Sequence, residues 1–90
     1  MKNQIIRLQQ ALEILVDDED KVSVYLVYLS IVFLGYKIPE VSKYFKLPEI
    51  KVQAGLTACG VKLQHSYEFR SKMHQAARIY NIDRNLKLVA

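Results

Sequence analysis

Three side chains in this sequence have the nucleophilic or metal-binding character on which enzyme chemistry depends: Cys59, His65 and His74. They are separated by six and nine residues, and neither spacing brings two of them onto one face of a helix. The sequence also lacks a CxxC pair, an HxxxH pair and a glycine-rich phosphate loop. We therefore expect no enzyme, no metal site and no cofactor, and we interpret Cys59 as a small core residue and both histidines as surface or cap residues.

Lysine and arginine outnumber the acidic residues, and the two kinds of charge are distributed unevenly. Residues 1–20 contain two Lys or Arg against five Asp or Glu, a net charge of −3, whereas the rest of the chain contains eleven against four, a net charge of +7. A basic body behind an acidic N-terminal segment suits an anionic partner such as nucleic acid.

Length and composition indicate one small globular domain, residues 1–90. The chain is 51% apolar and 24% charged, which is typical of a packed domain rather than a disordered tail. A single cysteine excludes an internal disulfide and fits a reducing compartment. The N-terminal stretch MKNQIIRLQQALEILV intersperses Gln, Arg and Glu among its apolar residues, unlike the continuous core of a signal peptide. We expect a cytoplasmic location.

The most apolar run, VSVYLVYLSIVFL from Val22 to Leu34, could form a membrane span, a buried strand or a helix. Eleven of its thirteen residues are apolar, whereas a membrane span needs about twenty. Its Val, Ile, Tyr and Phe residues favour a strand, but thirteen residues is long for one. Asp20 precedes the run as a possible cap, and Gly35 follows where a helix would end. The run therefore predicts a central helix, and we expect no contact with a membrane.

Amphipathic patterns predict a helix at each end of the chain. In residues 3–16 apolar residues recur at spacings of three and four, and Asn3 could cap the start. The buried side of this first helix would contain Ile5, Leu8, Leu12 and Leu15, widened by Ile6 and Val16. The last helix would start after Ser66 as its cap and stop at Asn81 in a left-handed conformation, before a loosely held tail at 81–90.

Two prolines divide the middle of the chain. Pro39 suits the first turn of a short helix, which must end before Leu47 because Pro48 disfavours α conformation there. Pro48 then opens a fourth helix, in which we expect Gly55 and Gly60 to allow close contact with neighbouring helices. The buried side of the fourth helix would contain Val52, either Gly55 or Leu56, and Cys59.

These elements predict an all-α bundle of five helices that contains a helix-turn-helix. A short helix, a tight turn and a second helix within a basic domain are typical of that motif, whose second helix presents its first residues to the major groove. Helix pairs with short connections also occur in small helical proteins that bind no DNA.

The segment YLSIVFLGYKIPEVSKYF, residues 28–45, resembles the C-terminal DNA-binding domain of the bacterial replication initiator DnaA. The positions that match without a gap are Tyr28, Leu29, Ile38, Pro39, Glu40, Val41 and Phe45. Downstream, Val52 and Gly55 correspond to valine and alanine of the family's recognition helix, and SYEF at residues 66–69 resembles the start of its last helix. The resemblance covers residues 21–80 and implies a Trp-repressor-like helix-turn-helix bundle.

The residues with which that family reads DNA are replaced in this chain. Where the family has arginine-aspartate-histidine-threonine-threonine, this chain has residues 47–51, Leu-Pro-Glu-Ile-Lys. Ser23 and Val24 stand where the family commonly places an arginine-glutamine pair on phosphate. A phosphate-lined groove would repel Glu49, and Ile50 could offer only apolar contact to a thymine methyl group. The resemblance therefore implies a retained scaffold with altered or relaxed sequence specificity.

The remaining polar side chains around the motif are the candidates for contact with double-stranded DNA. Lysines provide sequence-independent, salt-sensitive affinity for phosphates, and Lys51 and Gln53 stand closest to the start of the second helix, where bases would be contacted. The candidate DNA-binding residues are Lys37, Lys43, Lys46, Lys51, Gln53 and Lys62. The same lysines could instead serve only solubility.

Two functions follow from the sequence. The first is a small DNA-binding regulator that keeps the initiator-like fold with altered or relaxed specificity. The second is a protein-interaction module, or a regulator of replication or transcription, that uses this fold without binding DNA. The N-terminal helix, which lies outside the resemblance, would either cap the core or form a homodimer.

Overall fold

The computed structural model describes the backbone of residues 2–89 and the side chains of residues 2–82. Within that part of the chain there are five α-helices and no strand, which confirms the predicted all-α class. The helices are α1 (Lys2–Leu15), α2 (Glu19–Val32), α3 (Ile38–Phe45), α4 (Glu49–His65) and α5 (Tyr67–Val89). No helix in these residues is long and apolar enough to cross a membrane.

Helix α1 contributes one full side to the main core. Ile5, Leu8, Ala11 and Leu12 are buried, and the helix packs against α2 and α5. The predicted stripe is confirmed for Ile5, Leu8, Leu12 and Val16, and Leu15 is half-buried, but the inclusion of Ile6 is wrong because Ile6 is exposed. The apolar side of α1 is therefore occupied within the chain, as the interpretation of α1 as a cap on the core requires.

Helix α2 is central, as its apolar sequence predicts. Val22 and every residue from Tyr25 to Ser30 are buried, and the Ser30 hydroxyl donates a hydrogen bond of 2.6 Å to the Leu26 carbonyl. The expected cap at Asp20 is wrong, because Asp18 occupies the cap position and its carboxylate accepts a hydrogen bond of 2.9 Å from the Asp20 amide. Asp20 instead lies in the first turn, where its charge suits the helix dipole.

Helices α3 and α4 are joined by a three-residue turn with fixed geometry. Helix α3 ends before Leu47, as predicted, and Lys46 adopts the left-handed conformation with φ of 57°. The Leu47 amide donates to the Ser42 carbonyl at 3.0 Å, and the Ser42 hydroxyl donates to the Leu47 carbonyl. A small second core of Val27, Val41 and Val52 packs α3 and α4 against α2. The two helices are therefore held in one relative orientation.

Two expectations about α4 and α5 are wrong. Helix α5 starts as predicted, with the Phe69 amide donating to the Ser66 hydroxyl at 3.1 Å, but it continues through Asn81 to Val89, because asparagine costs little more than most residues in a helix. A Cβ atom built on Gly55 or Gly60 would meet nothing within 4 Å, so these glycines permit no close helix contact. The tail side chains after residue 82 lie outside the described residues.

Candidate functional site

The turn between α3 and α4 carries a group of exposed lysines. Lys43 lies in the last turn of α3, Lys46 in the connection and Lys51 in the first turn of α4, and all three side chains are exposed. We call these three residues the turn lysines. Hydrogen bonds between Ser42 and Leu47 close the connection that carries these cations. The structure thus places three exposed lysines around one hydrogen-bonded turn.

Lys37 stands apart from the turn lysines at the start of α3. Its side chain is exposed, and its amide donates a hydrogen bond of 3.0 Å to the Glu40 carboxylate. The length of α3, eight residues at 1.5 Å each, separates it from the turn by about 12 Å. Lys37 is thus placed to add charge at the edge of the site.

Lys62 is positioned differently from the other candidates. It lies eleven residues beyond Lys51, about 16 Å along α4. Its ammonium group donates a hydrogen bond of 3.0 Å to the Tyr25 hydroxyl and lies 5.3 Å from the centroid of the Phe69 ring. The hydrogen bond to Tyr25 is the main cause that raises the pKa of Lys62. Lys62 therefore connects helices within the bundle and lies away from the turn.

Acidic side chains gather at the other end of α4, away from the turn lysines. Asp17 and Asp18 line a groove of about 300 Å³ with Lys62, and Lys21 and Lys72 share its walls. We call residues 17–20, all exposed, the acidic segment. Among the described residues of α3 and α4, the carboxylates that oppose the positive charge of the turn lysines are those of Glu40 and Glu49.

One stripe along the exposed side of α4 carries mainly apolar residues. Its exposed residues include Ile50 and Val61, with 76% and 52% of their surface accessible, and Ala54 and Thr57 between them. We call these four residues the outer face of α4; they point away from the buried Val52 and Cys59. Their spacing of four, three and four residues was a signal in the sequence, but it was masked by the apolar residues on the buried side. Gln53 is exposed at the edge of this face.

Another apolar side chain is exposed on α2, at a groove between α2 and α4. Val24, with 47% of its surface accessible, lines a groove of about 290 Å³ with Ala58 and Cys59 of α4. The charged residues Asp20, Lys21 and Lys62 line the same groove, so the exposed Val24 side chain lies among charged groups.

The chemically reactive residues occupy positions that suit structural roles. Cys59 is buried, as predicted, and burial raises the pKa of its thiol, partly offset by the Lys62 ammonium. His65 and His74 are exposed, as predicted for surface residues. No group of three or more metal-binding side chains occurs among the described residues.

Of the tyrosines, Tyr67 is the most exposed, at 78%. The other five tyrosines are buried or half-buried: Tyr25, Tyr28, Tyr36, Tyr44 and Tyr80.

The N-terminal helix also exposes apolar residues. Ile14 has 70% of its surface accessible and Ile6 has 39%. A homodimer through α1 would have to use these exposed residues, since the buried face of the helix is filled. It stays a prediction.

Comparison with known proteins finds no relative of this chain. No protein-family model, curated protein or solved structure matches this chain.

Proposed function

We propose that this protein is a small DNA-binding regulator in which α3 and α4 act as a helix-turn-helix with relaxed sequence specificity. The observation that carries the proposal is the exposure of Lys43, Lys46 and Lys51 around a turn held by side-chain and backbone hydrogen bonds. Lysines on a hydrogen-bonded turn can contact adjacent phosphates without losing backbone freedom on binding, which favours affinity.

The groups around the turn lysines favour contact with phosphates over the reading of bases. Gln53 is the one uncharged polar candidate for a base edge near the start of α4, and Glu49 in the same turn repels the DNA backbone. Ile50 offers only apolar contact. Binding of this kind is positioned by phosphates and carries little sequence information.

Fluorescence anisotropy with a labelled duplex of mixed sequence, at two salt concentrations, tests the proposal. We expect a dissociation constant in the micromolar range, and binding that weakens steeply as the salt concentration rises. Replacing the turn lysines together by alanine should weaken binding at least tenfold and reduce the magnitude of the salt slope by about 2 to 3, since each phosphate contact contributes about 0.9.

A matched control removes the same charge elsewhere. Lys2, Lys21 and Lys72 lie outside α3 and α4, and their joint replacement by alanine lowers the net charge by the same amount. The control should bind almost as well as the original chain. Equal losses in both triple variants, or no binding at low salt, would contradict a DNA site at the turn.

A second candidate function, a protein-interaction module, is favoured by the outer face of α4. Ile50 and Val61 expose 76% and 52% of their surface on one side of α4, and Val24 of α2 lines a separate groove with Ala58 of α4. Absence of DNA binding at every salt concentration would favour this second function, for which the loss of base-reading residues is expected.

A further inference from the structure

The solvent side of α5 carries three exposed residues that lie in line along the helix. Arg70, His74 and Arg78 follow one another at a spacing of four residues, so they share one side of α5 at intervals of about 6 Å along its axis. We call these three residues the outer row of α5. The arginines are cationic, and a histidine ring can donate a hydrogen bond in either protonation state. The outer row is therefore a line of donors about 12 Å long.

The carboxylates on and around α5 lie away from the outer row. The positions three and four residues from Arg70 and Arg78 hold no Asp or Glu. Glu68 is the one acidic residue between positions 67 and 82, and it lies on the other side of the helix with its carboxylate 3.8 Å from the Lys72 ammonium group. Asp17 and Asp18 line the groove on that same side of α5, together with Glu68 and Lys72.

The helices packed against α5 bring no other carboxylate to the outer row. Helix α5 packs against α1 and α4. Glu13, the one acidic residue of α1, lines a groove between α1 and α2 together with Glu19, and Glu49 of α4 lies in the first turn of that helix. Within the described part of the chain, the charge of the outer row is therefore left for an external anion.

The residue types on this side of α5 are suited to phosphate. Every Lys or Arg position in α2, α3 and α4 is a lysine, whereas the outer row uses arginine, whose planar group can donate to two oxygens of one phosphate. Ser71 and Gln75 line a groove of about 460 Å³ with His74 and Arg78, and uncharged side chains of these types also contact phosphates. A surface that served solubility alone would intersperse charges of both signs.

The outer row lies apart from the turn lysines. It begins next to Phe69, whose ring centroid is 5.3 Å from the Lys62 ammonium group, and Lys62 is about 16 Å along α4 from Lys51. It ends next to Tyr80, whose ring contacts side chains of α1 and α2. Helix α3 packs against α2 and α4. The outer row and the turn lysines therefore belong to different surfaces of the bundle.

We propose that the outer row of α5 is a second phosphate-binding surface, by which one copy of this chain holds a second DNA duplex. The inference rests on the proposed function for the first duplex, which the turn lysines contact, and it goes beyond that function because two such surfaces bring two segments of DNA together. Charge complementarity identifies the occupant: a line of cationic and uncharged donors without local carboxylates matches a phosphate backbone and gains affinity by releasing its counterions.

Anisotropy titrations in a chain that lacks the turn lysines test the outer row by itself. With Lys43, Lys46 and Lys51 replaced by alanine, we expect residual binding of a labelled duplex at low salt that disappears as the salt concentration rises. Adding Arg70→Gln and Arg78→Gln to this chain should weaken the residual binding at least tenfold, with unchanged circular dichroism.

The matched control adds Lys2→Gln and Lys21→Gln to the same chain, which removes the same charge outside α3, α4 and α5. It should weaken the residual binding by no more than about twofold. Absence of residual binding, or equal losses in the control and in the arginine variant, would overturn the proposal. Failure of the proposed function is distinct, because the chain without the turn lysines would then bind DNA as tightly as the original chain.

Capture of one duplex by another tests whether both surfaces are occupied together. A biotinylated duplex on streptavidin beads should retain a fluorescent duplex without biotin when the original chain is added. The variant with Arg70→Gln and Arg78→Gln should lose most of this capture while still binding a single duplex, and the variant with Lys2→Gln and Lys21→Gln should keep it. Capture that survives without the two arginines would overturn the proposal, because the duplexes would then be joined by another route, such as a homodimer.

Discussion

The ammonium group of Lys62 donates a hydrogen bond of 3.0 Å to the hydroxyl oxygen of Tyr25, although the two residues are 37 positions apart in the chain. The same group lies 5.4 Å from the centroid of the Tyr25 ring and 5.3 Å from that of Phe69. One cation thereby connects α4 with both α2 and α5, and it does so at the partly open edge of the core.

Replacing Lys62 by methionine should therefore destabilise the fold. The substitution keeps the apolar stem and removes the hydrogen bond and the contacts with the rings, and we expect a loss of about 0.5–1.5 kcal/mol in the free energy of unfolding. Urea denaturation measures it. Lys51→Met on the same helix is the control and should change the free energy by less than about 0.5 kcal/mol. Equal effects in the two variants would show that the Lys62 contacts do not stabilise the bundle.

Alkaline pH should also weaken the fold. Burial raises the pKa of Tyr28 and of Cys59, and the hydrogen bond to Tyr25 raises the pKa of Lys62. Each group holds its proton more tightly when folded, so its contribution is complete below the unfolded pKa and is lost as pH rises through the folded one. We expect the free energy of unfolding to fall above about pH 9, measured by urea titrations at several pH values. A rise in stability between about pH 9 and 11 would contradict these assignments.

Lys46 should be replaceable by glycine with a gain in stability. Its φ of 57° is unfavourable for a residue with a Cβ atom and free of steric cost for glycine. We expect Lys46→Gly to raise the free energy of unfolding by roughly 0.5–1 kcal/mol, allowing for the greater entropy of glycine in the unfolded chain. Lys46→Ala keeps the strain and should be close to neutral. Thermal unfolding of both variants separates backbone strain from the loss of charge.

Two glycines should respond to alanine in opposite directions. Gly55 lies inside α4 with nothing within 4 Å of an added Cβ atom, so Gly55→Ala should stabilise by about 0.5–1 kcal/mol through helix propensity. Gly35, also in open space, has φ of +82°, so Gly35→Ala should destabilise by about 1–2 kcal/mol. Chemical denaturation measures both variants, and each serves as the control for the other because the substitution is the same. A loss of stability in Gly55→Ala would indicate a contact at that position.

Glu49 should oppose DNA binding if the turn lysines contact phosphate. It is exposed in the first turn of α4, two residues from Lys51, and its carboxylate would face the DNA backbone. We expect Glu49→Gln to tighten binding about two- to fivefold at low salt, with a smaller gain at high salt. Glu68→Gln on α5 is the control with the same change of charge and should have little effect. Anisotropy titrations measure the DNA affinity of both variants. Equal gains in affinity would show that the effect of the charge does not depend on its position.

Local signals in the sequence were sufficient for the framework of the fold. Pro39, Pro48, Gly35 and Ser66 act on neighbouring backbone, so the helix limits near them could be predicted. The cap before α2 was misplaced because residues 17–20 contain three aspartates, each of which can serve as a cap, and the sequence does not distinguish Asp18 from the other two.

Features that depend on tertiary structure were not predictable in the same way. The contact between Lys62 and Tyr25 joins residues from two helices, and no spacing in the sequence encodes it. The outer face of α4 was missed because a helix with apolar residues on two opposite sides shows little periodicity. Exposure of Ile50 and Val61, which the structure supplies, distinguishes that face from the core.

The acidic segment and the turn lysines lie towards opposite ends of α4, a helix of 17 residues and about 25 Å. A molecule with this separation of charge has a permanent electric dipole moment, and the field of a polyanion rotates it before any contact forms. The α3–α4 turn would then face the polyanion during the approach, with the acidic segment on the far side. Ionic strength should therefore change the rate of association more than the rate of dissociation.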